Sequence, residues 1–547
     1  MAKNTKSQDS NPIAKNLIKN ILGQVPLTAE MYWLIRHRDQ NIKSRFSLRE
    51  LENNLPDVID FIETHKRKPI KNTKKLFLFA SLHYWIEHAA LIGLQLANIG
   101  HEVHLGFLPY HDWQNPINKF DLRRQNIYAQ KVLAKTEPHL HIHPFLDLYA
   151  GYKILPDALQ KAIDQVTRYD VMYTLQVEYV DEASSIYKLR QKRNMRAGRA
   201  ALAWMQEFKP DVVIVPNGTI QEFGVIYEVS QYLKIPTVTY EFGDQRQRIW
   251  IAQNAKVMRQ ETDEMWEAYK DTPLTRTELN KIRELFEARK KASVWKNFNR
   301  LWQQVPNKGV EIARSELGLD DRPVVLLATN VLGDSLTLGR EIFSKNMEEW
   351  LERTLQYFTG KPEAQLVIRI HPGEVLIHGQ SMQDVINRVL PNLPEHIHVI
   401  AAREKVNTYD LIAAADVGLV YTTTVGLEMA MSSVPVIVAG NTHYRQKGFT
   451  LDPSSWVNYY KILREVLEQP EQYRLSKEQI DLAWAYAYRF FFDFPRPFPW
   501  HLVNCWDDYS RLNINEVSTG KDCREFQKIF SYLAGEKINW QEIRDSS

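Results

Sequence analysis

The sequence predicts an α/β protein with two open parallel-sheet domains. Three observations predict it. Short apolar runs such as "KKLFLFAS" and "PVVLLATN" are bounded by polar turns, the pattern of strands buried on both faces. The stretches between them carry apolar residues at helical spacing, and "IEHAALIGLQLANIG" ends in a glycine suited to a helix terminus. The pattern occurs twice, separated by a charged stretch without a strand signal. A chain of 547 residues, 44% hydrophobic and 25% charged, is an ordinary globular composition with room for more than one domain.

Residues 1–73 read as a helical extension: a polar lead, then "LRELENNLPDVIDFIETHKRK" with a basic, solvated end. Residues 74–255 form the first Rossmann-like domain. "KKLFLFAS", the helix closed by Gly100 and "HEVHLGFLP" make a βαβ unit. "AALAWMQEFKP", "DVVIVPNG", "GVIYEVSQYLKI" and "PTVTYEFGD" continue the alternation of helix and strand. Residues 256–321, including "TRTELNKIRELFEARKKASVW", read as a helical linker. Residues 322–469 form the second domain, with strands "PVVLLATN", "AQLVIRIHP", "EHIHVIAA", "DVGLVYT" and "PVIVAG" and helices between them. Residues 470–547 begin with the aromatic "AWAYAYRFFFDFPRPFPW" and read as a helical tail. Two such domains facing each other across a cleft, joined by helices, describe the GT-B architecture.

A net charge of +3 disfavours a nucleic-acid partner held by a basic surface. Two cysteines, Cys505 and Cys523, make no disulfide framework and fit a reducing compartment. The start of the chain lacks the apolar core of a signal peptide, and no apolar run reaches the ~18 residues of a membrane span. The expectation is a cytoplasmic protein, with room for a peripheral contact at the inner membrane face. The 14 tryptophans suit either flat ligands or a large aromatic core.

In open α/β sheets ligands bind at the carboxyl ends of the strands, so the turns there are the candidate site. "VYTTTVGLEMAM" places Thr422, Thr423, Thr424 and Gly426 at a helix start, where N–H groups and dipole attract phosphate. Glu428, one turn in, is placed to accept from a ribose diol; as a first-turn acid it also suits the dipole alone. "LVIRIHPGE" ends a strand on Arg369 and His371, two donors to phosphate on one strand face, with Glu374 beyond. "LLATNVLGDS" supplies Thr329, Asn330, Gly333, Asp334 and Ser335 beside them, or an ordinary polar turn. "AGNTHYRQKGFT", with Gly440, Tyr444 and Gly448, reads as a loop over the donor or as plain surface. In the first domain His83, Glu87, His88, Glu241 and Asp244 are the available bases, and Asn217 and Gly218 sit where an acceptor would bind. "HLHIHP" offers three histidines, His139, His141 and His143, but without a placed carboxylate or Cys partner no metal site is expected there. No Asp-x-Asp triplet of the kind that holds a metal on a sugar diphosphate occurs in the chain. The expectation is therefore a metal-free mechanism without a cofactor.

The run from "VIRIHPGE" through "DLIAAADVGLVYTTTVGLEMAMSSVPVIVAGNTHYRQKGFT" resembles the capsular and surface polysaccharide biosynthesis glycosyltransferases, including the Kdo-transferase type. The likeness spans about residues 324–453. It implies that His371 and Thr422 to Thr424 hold the donor's phosphate and Glu428 its ribose. Ser433 stands where the related enzymes usually have glycine. The implied reaction takes a sugar from a nucleotide sugar, as substrate, to a glycan or lipid-linked acceptor, with a first-domain base deprotonating the acceptor. Donor, acceptor, stereochemical course and oligomeric state stay open. A CDP-alcohol phosphotransferase of teichoic-acid type pairs His-Pro with a similar turn, but resembles "YSS…FD" there. A non-hydrolysing sugar-nucleotide 2-epimerase would carry a Gly-Gly-x-Gln-Glu turn that this chain lacks. A non-catalytic scaffold of a polysaccharide assembly complex keeps the fold and binds no nucleotide.

Overall fold

The apolar runs become strands because their Val, Leu, Ile and Phe side chains fill both faces of a pleated sheet. The computed structural model describes residues 12–36, 45–65, 72–148, 154–376 and 379–545. The chain forms two units: Met1–Thr167, Ala183–Thr239 and Leu502–Glu536 make the first, and Arg168–Glu182, Tyr240–His501 and Lys537–Ser547 the second.

The first unit is built on strands β1 (Lys75–Ser81), β2 (Glu102–Leu108), β3 (Leu140–Pro144), β4 (Val212–Pro216) and β5 (Thr237–Glu241), in the order β5-β4-β1-β2-β3. β5 runs two residues into the second unit. β1 pairs in parallel with β2 and β4, and β2 with β3. Leu76 to Ser81 are buried without interruption. The helix His83–Asn98 returns from β1 to β2 and is buried along most of its length, as its predominantly apolar sequence requires. Gly100, at φ +105°, takes the chain out of it. Part of the predicted tail also belongs here: Asn98 Nδ2 donates to Ser518 Oγ (3.0 Å), and Lys74 Nζ to the Ala534 carbonyl (2.8 Å).

The second unit contains β6 (Arg248–Gln253), β7 (Val324–Ala328), β8 (Gln365–Arg369), β9 (Ile397–Ile400), β10 (Val417–Val420), β11 (Val436–Val438) and the two-residue β12 (Arg496–Pro497). β7 to β11 form a parallel sheet of order β11-β10-β7-β8-β9, and β6 pairs antiparallel with β12. One core cluster holds Trp350, Leu355, Phe358, Tyr459 and Leu463. The other holds Leu427, Met429, Tyr486, Phe490 and Phe491, so the aromatic run of the tail serves packing. β7 lies between β10 and β8, which brings the turns after these three strands together at one end of the sheet. Among the described residues, no helix is long and apolar enough to cross a membrane.

Candidate functional site

The turn after β7 joins the two predicted phosphate-binding pieces. Thr329 is buried, and its Oγ1 accepts the His371 backbone N–H at 3.0 Å. Asn330 Oδ1 accepts the Thr422 N–H at 3.2 Å. His371 and Thr422 thus sit on either side of one turn. The Gly373 N–H donates to His371 Nδ1 at 3.0 Å. A neutral imidazole with Nδ1 accepting carries its proton on Nε2, which is left to donate outward. Burial, with the positive charges of Arg300 and Arg369, lowers the His371 pKa to about 4, so the ring is neutral at physiological pH. The Thr422 hydroxyl is buried and has no hydrogen-bond partner among the described residues.

Other side chains are engaged differently from expectation. Arg369 donates to the carbonyls of Ala401 (3.0 Å), Glu404 (3.4 Å) and Val406 (3.3 Å), and so orders the loop after β9. Glu428, expected to accept from a ribose, pairs with the linker: Arg289 Nη1 donates to its Oε1 at 2.9 Å, and both are buried. Burial pushes the Glu428 carboxyl up, while Arg289 and the neighbouring Tyr409 hydroxyl pull it down. Gly426 is required by Tyr444, whose hydroxyl a Cβ there would strike. Tyr444 is fully buried and donates to the Thr423 carbonyl at 2.5 Å, so it is core and no part of a lid. The helix start is largely closed on itself: Val425 N–H reaches Thr423 Oγ1 (3.4 Å), Gly426 N–H the Thr423 carbonyl (3.2 Å) and Leu427 N–H the Thr424 carbonyl (3.0 Å). Thr424 makes no side-chain cap, and the helix Val425–Met431 has only 7 residues, which leaves its dipole a minor contribution. Glu374 accepts the Met382 N–H at 3.0 Å, and burial raises it to about 7.

Sequence reasoning missed a charged group from the predicted linker. The positive charge of Arg300 acts on both His371 and Asp334. Its Nη1 lies 4.0 Å from Asp244 Oδ2. Asp334, in the turn after β7, has its carboxyl pushed up by burial while accepting from Leu336 N–H at 3.0 Å. Burial first, and then the charge of Asp334, raises the hydroxyl of Tyr173, a residue of the Arg168–Glu182 segment. Arg300 lies in no motif, and only its fold neighbours give it a role. Two predicted bases, Asp244 and Glu241, therefore belong to the same unit as His371. Glu241 Oε1 accepts its neighbour Phe242's N–H at 3.0 Å.

The remaining predicted bases lie in the first unit. Glu87 accepts Leu51 N–H (3.0 Å) and Trp506 Nε1 (3.2 Å), and burial raises it to about 7, so it ties three segments of the core. His88 is fully buried. His83 starts its helix, half-buried, with its pKa lowered by burial and by His111. Asn217 and Gly218 take positive φ in the turn after β4, and Asn217 Oδ1 accepts Thr219 N–H (3.1 Å). Next to that turn is a buried pair the sequence did not reveal: Arg190 Nη2 donates to Glu222 Oε1 (3.0 Å), and Ser81 Oγ to Glu222 Oε2 (3.2 Å).

The turns that hold His371, Thr422 and Asp334 all fall inside one stretch with a recognised pattern. Residues 255–480 match the family model of the capsule polysaccharide biosynthesis proteins. No curated protein is significantly similar to the chain. Among solved structures, Thermosulfurimonas dismutans KpsC, a β-Kdo 2,4 transferase, is 18% identical over 50% of this chain and 79% of its own, with a TM-score of 0.33. The Neisseria meningitidis UDP-GlcNAc 2-epimerase bound to UDP-GlcNAc is 14% identical over 77% and 98%, with a TM-score of 0.23. A Streptomyces sp. SF2575 glycosyltransferase complexed with thymidine diphosphate is 12% identical over 76% and 95%, with a TM-score of 0.22.

Proposed function

We propose that the protein is a glycosyltransferase of capsule polysaccharide synthesis, moving a sugar from a nucleotide sugar to a glycan or lipid-linked acceptor. One observation carries this reading. His371, Thr329, Asn330 and Thr422 converge at one end of one sheet, inside the residues that match the capsule family model. In the proposed reaction the bond from anomeric carbon to phosphate oxygen breaks, and the departing diphosphate gains negative charge. His371 Nε2–H and the Thr422 hydroxyl donate to that charge, and Arg300 offsets it. Such donors act without reorganising, because Thr329, Asn330 and Gly373 already hold them. The acceptor hydroxyl loses its proton to a carboxylate, and Asp244 is proposed for it because Arg300 links it to the same group. The reading gives leaving-group stabilisation to these side chains, and the sequence carries no Asp-x-Asp triplet.

The test is a thermal-shift and turnover panel of UDP-, GDP-, TDP- and CMP-sugars with a CDP-alcohol included. A cognate nucleotide sugar at ~100 times its Kd should stabilise the protein by about 2.7 kcal/mol and be turned over. Turnover of the CDP-alcohol alone would replace the proposal with phosphotransfer. Silence across the panel would leave the scaffold role.

A further inference from the structure

The histidines of "HLHIHP" acquire in the fold the carboxylate that the sequence did not place beside them. β2 and β3 pair in parallel with His104 opposite His141, so these two side chains share a face. Glu102 lies two residues before His104 and joins the same face. One ligand atom from each of Glu102, His104 and His141 lies within 4.8 Å of the other two. We propose that these three residues bind a divalent transition-metal ion, zinc by the chemistry of the donors.

Two imidazoles and a carboxylate are a donor set that zinc takes, with bonds of about 2.0–2.2 Å and roughly tetrahedral angles. That geometry sets ligand atoms ~3.3–3.5 Å apart. The observed separations bracket it, from 2.8 Å between Glu102 Oε1 and His104 Nε2 up to 4.8 Å. Small side-chain rotations therefore close the site. A supporting partner is already in place: His104 Nδ1 lies 2.9 Å from His143 Nε2. With His104 Nε2 on the ion, the ring's proton sits on Nδ1 and is donated to His143, the outer contact that orients a metal-bound histidine. Trp204 and Phe208 stack on each other and wall the imidazoles, with ring centroids 5.0 and 5.2 Å from His143. His104 is buried, whereas Glu102 and His141 are exposed, which gives an ion a way in. Lys75 Nζ, 3.8 Å from Glu102 Oε1 and partly exposed, is the cation the ion would displace. His139 is directed to Glu63 (4.0 Å) and is not a ligand. The site lies at the amino ends of β2 and β3, away from the turns at the strands' carboxyl ends, and clamps the outermost strand of this sheet order to its neighbour. It is independent of the glycosyltransferase reading.

Untagged full-length protein, stripped with chelator, should take up one Zn2+ per chain in equilibrium dialysis, and Co2+ in its place should give tetrahedral ligand-field bands. Glu102→Ala and His141→Ala alter exposed residues, so the variants should keep the wild-type circular dichroism spectrum. Each should weaken Zn2+ binding by roughly ten-fold or more and abolish the cobalt bands, and His143→Phe should weaken it by about 10–100-fold. Failure of the wild type to take up either ion overturns the proposal, and so does uptake that both ligand variants leave unchanged.

Discussion

The Thr422 hydroxyl is buried without a partner among the described residues, an arrangement that costs about 1–3 kcal/mol when nothing fills it. An isosteric Thr422→Val removes that cost and keeps the volume. The ligand-free variant should be as stable as wild type or more so by chemical denaturation, while donor affinity falls roughly ten-fold, about the value of one hydrogen bond to a charged group. A loss of stability with unchanged affinity would show that the hydroxyl serves folding. His371 supplies the pH test. Its folded pKa of about 4 lies below the ordinary value near 6.5, so the unfolded chain binds the proton first as pH falls. Its contribution is fully present above about pH 6.5 and is lost on descending to about pH 4, with a size on the order of 1–3 kcal/mol. His371→Gln should flatten the dependence of Tm on pH in that window and lower kcat/KM by about 10²–10³ at neutral pH, as for loss of one donor to a developing oxyanion. Wild-type activity should show no titration near pH 6.5 from this ring.

Between elements, the Arg289–Glu428 pair joins the helix Arg276–Lys290 to the helix Val425–Met431. The guanidinium also lies over Trp302 (3.8 Å) and Phe491 (4.6 Å). Removing one partner strands a buried charge, so Arg289→Met should cost about 3–5 kcal/mol in urea unfolding. Adding Glu428→Leu should recover much of it; no recovery would mean that ring stacking outweighs the ion pair. Glu428 shows the limit of reading a sequence. A first-turn acid looks the same whether it faces a ribose or an arginine 139 positions earlier, and only long-range packing decides. Short-range signals carried further. The runs around Leu76, Val103, Val213, Leu326, Ile368 and Leu419 are strands because the pattern of burial is local to them. The departure at Ser433 is also local: its φ of +67° is the left-handed conformation that glycine takes freely. Ser433→Gly should therefore raise stability by up to about 1 kcal/mol, measurable as a higher Tm.

Across the whole molecule, the chain passes between the two units five times, at 167/168, 182/183, 239/240, 501/502 and 536/537. Neither unit is a continuous piece of sequence, which explains why linear reading found strands and turns but not the company they keep. A helix and a turn announce themselves within a few residues, whereas the return of residues 502–536 to the first unit is decided by contacts with residues more than 400 positions earlier. Those contacts are substantial. Trp506 Nε1 reaches Glu87, Ser518 meets Asn98 and Gln95, and Phe530 and Leu533 are buried. A chain ending at His501 keeps every predicted donor-turn residue yet uncovers this apolar surface and leaves Glu87, Gln95 and Asn98 without those partners. Burying polar groups unpaired and exposing core side chains are both costly, so the truncated chain should not fold cooperatively. Its far-ultraviolet circular dichroism should melt without a sharp transition, and it should aggregate on expression. A soluble 1–501 protein with a sharp melt would mean that the last segment is dispensable and that the first unit's core closes without it.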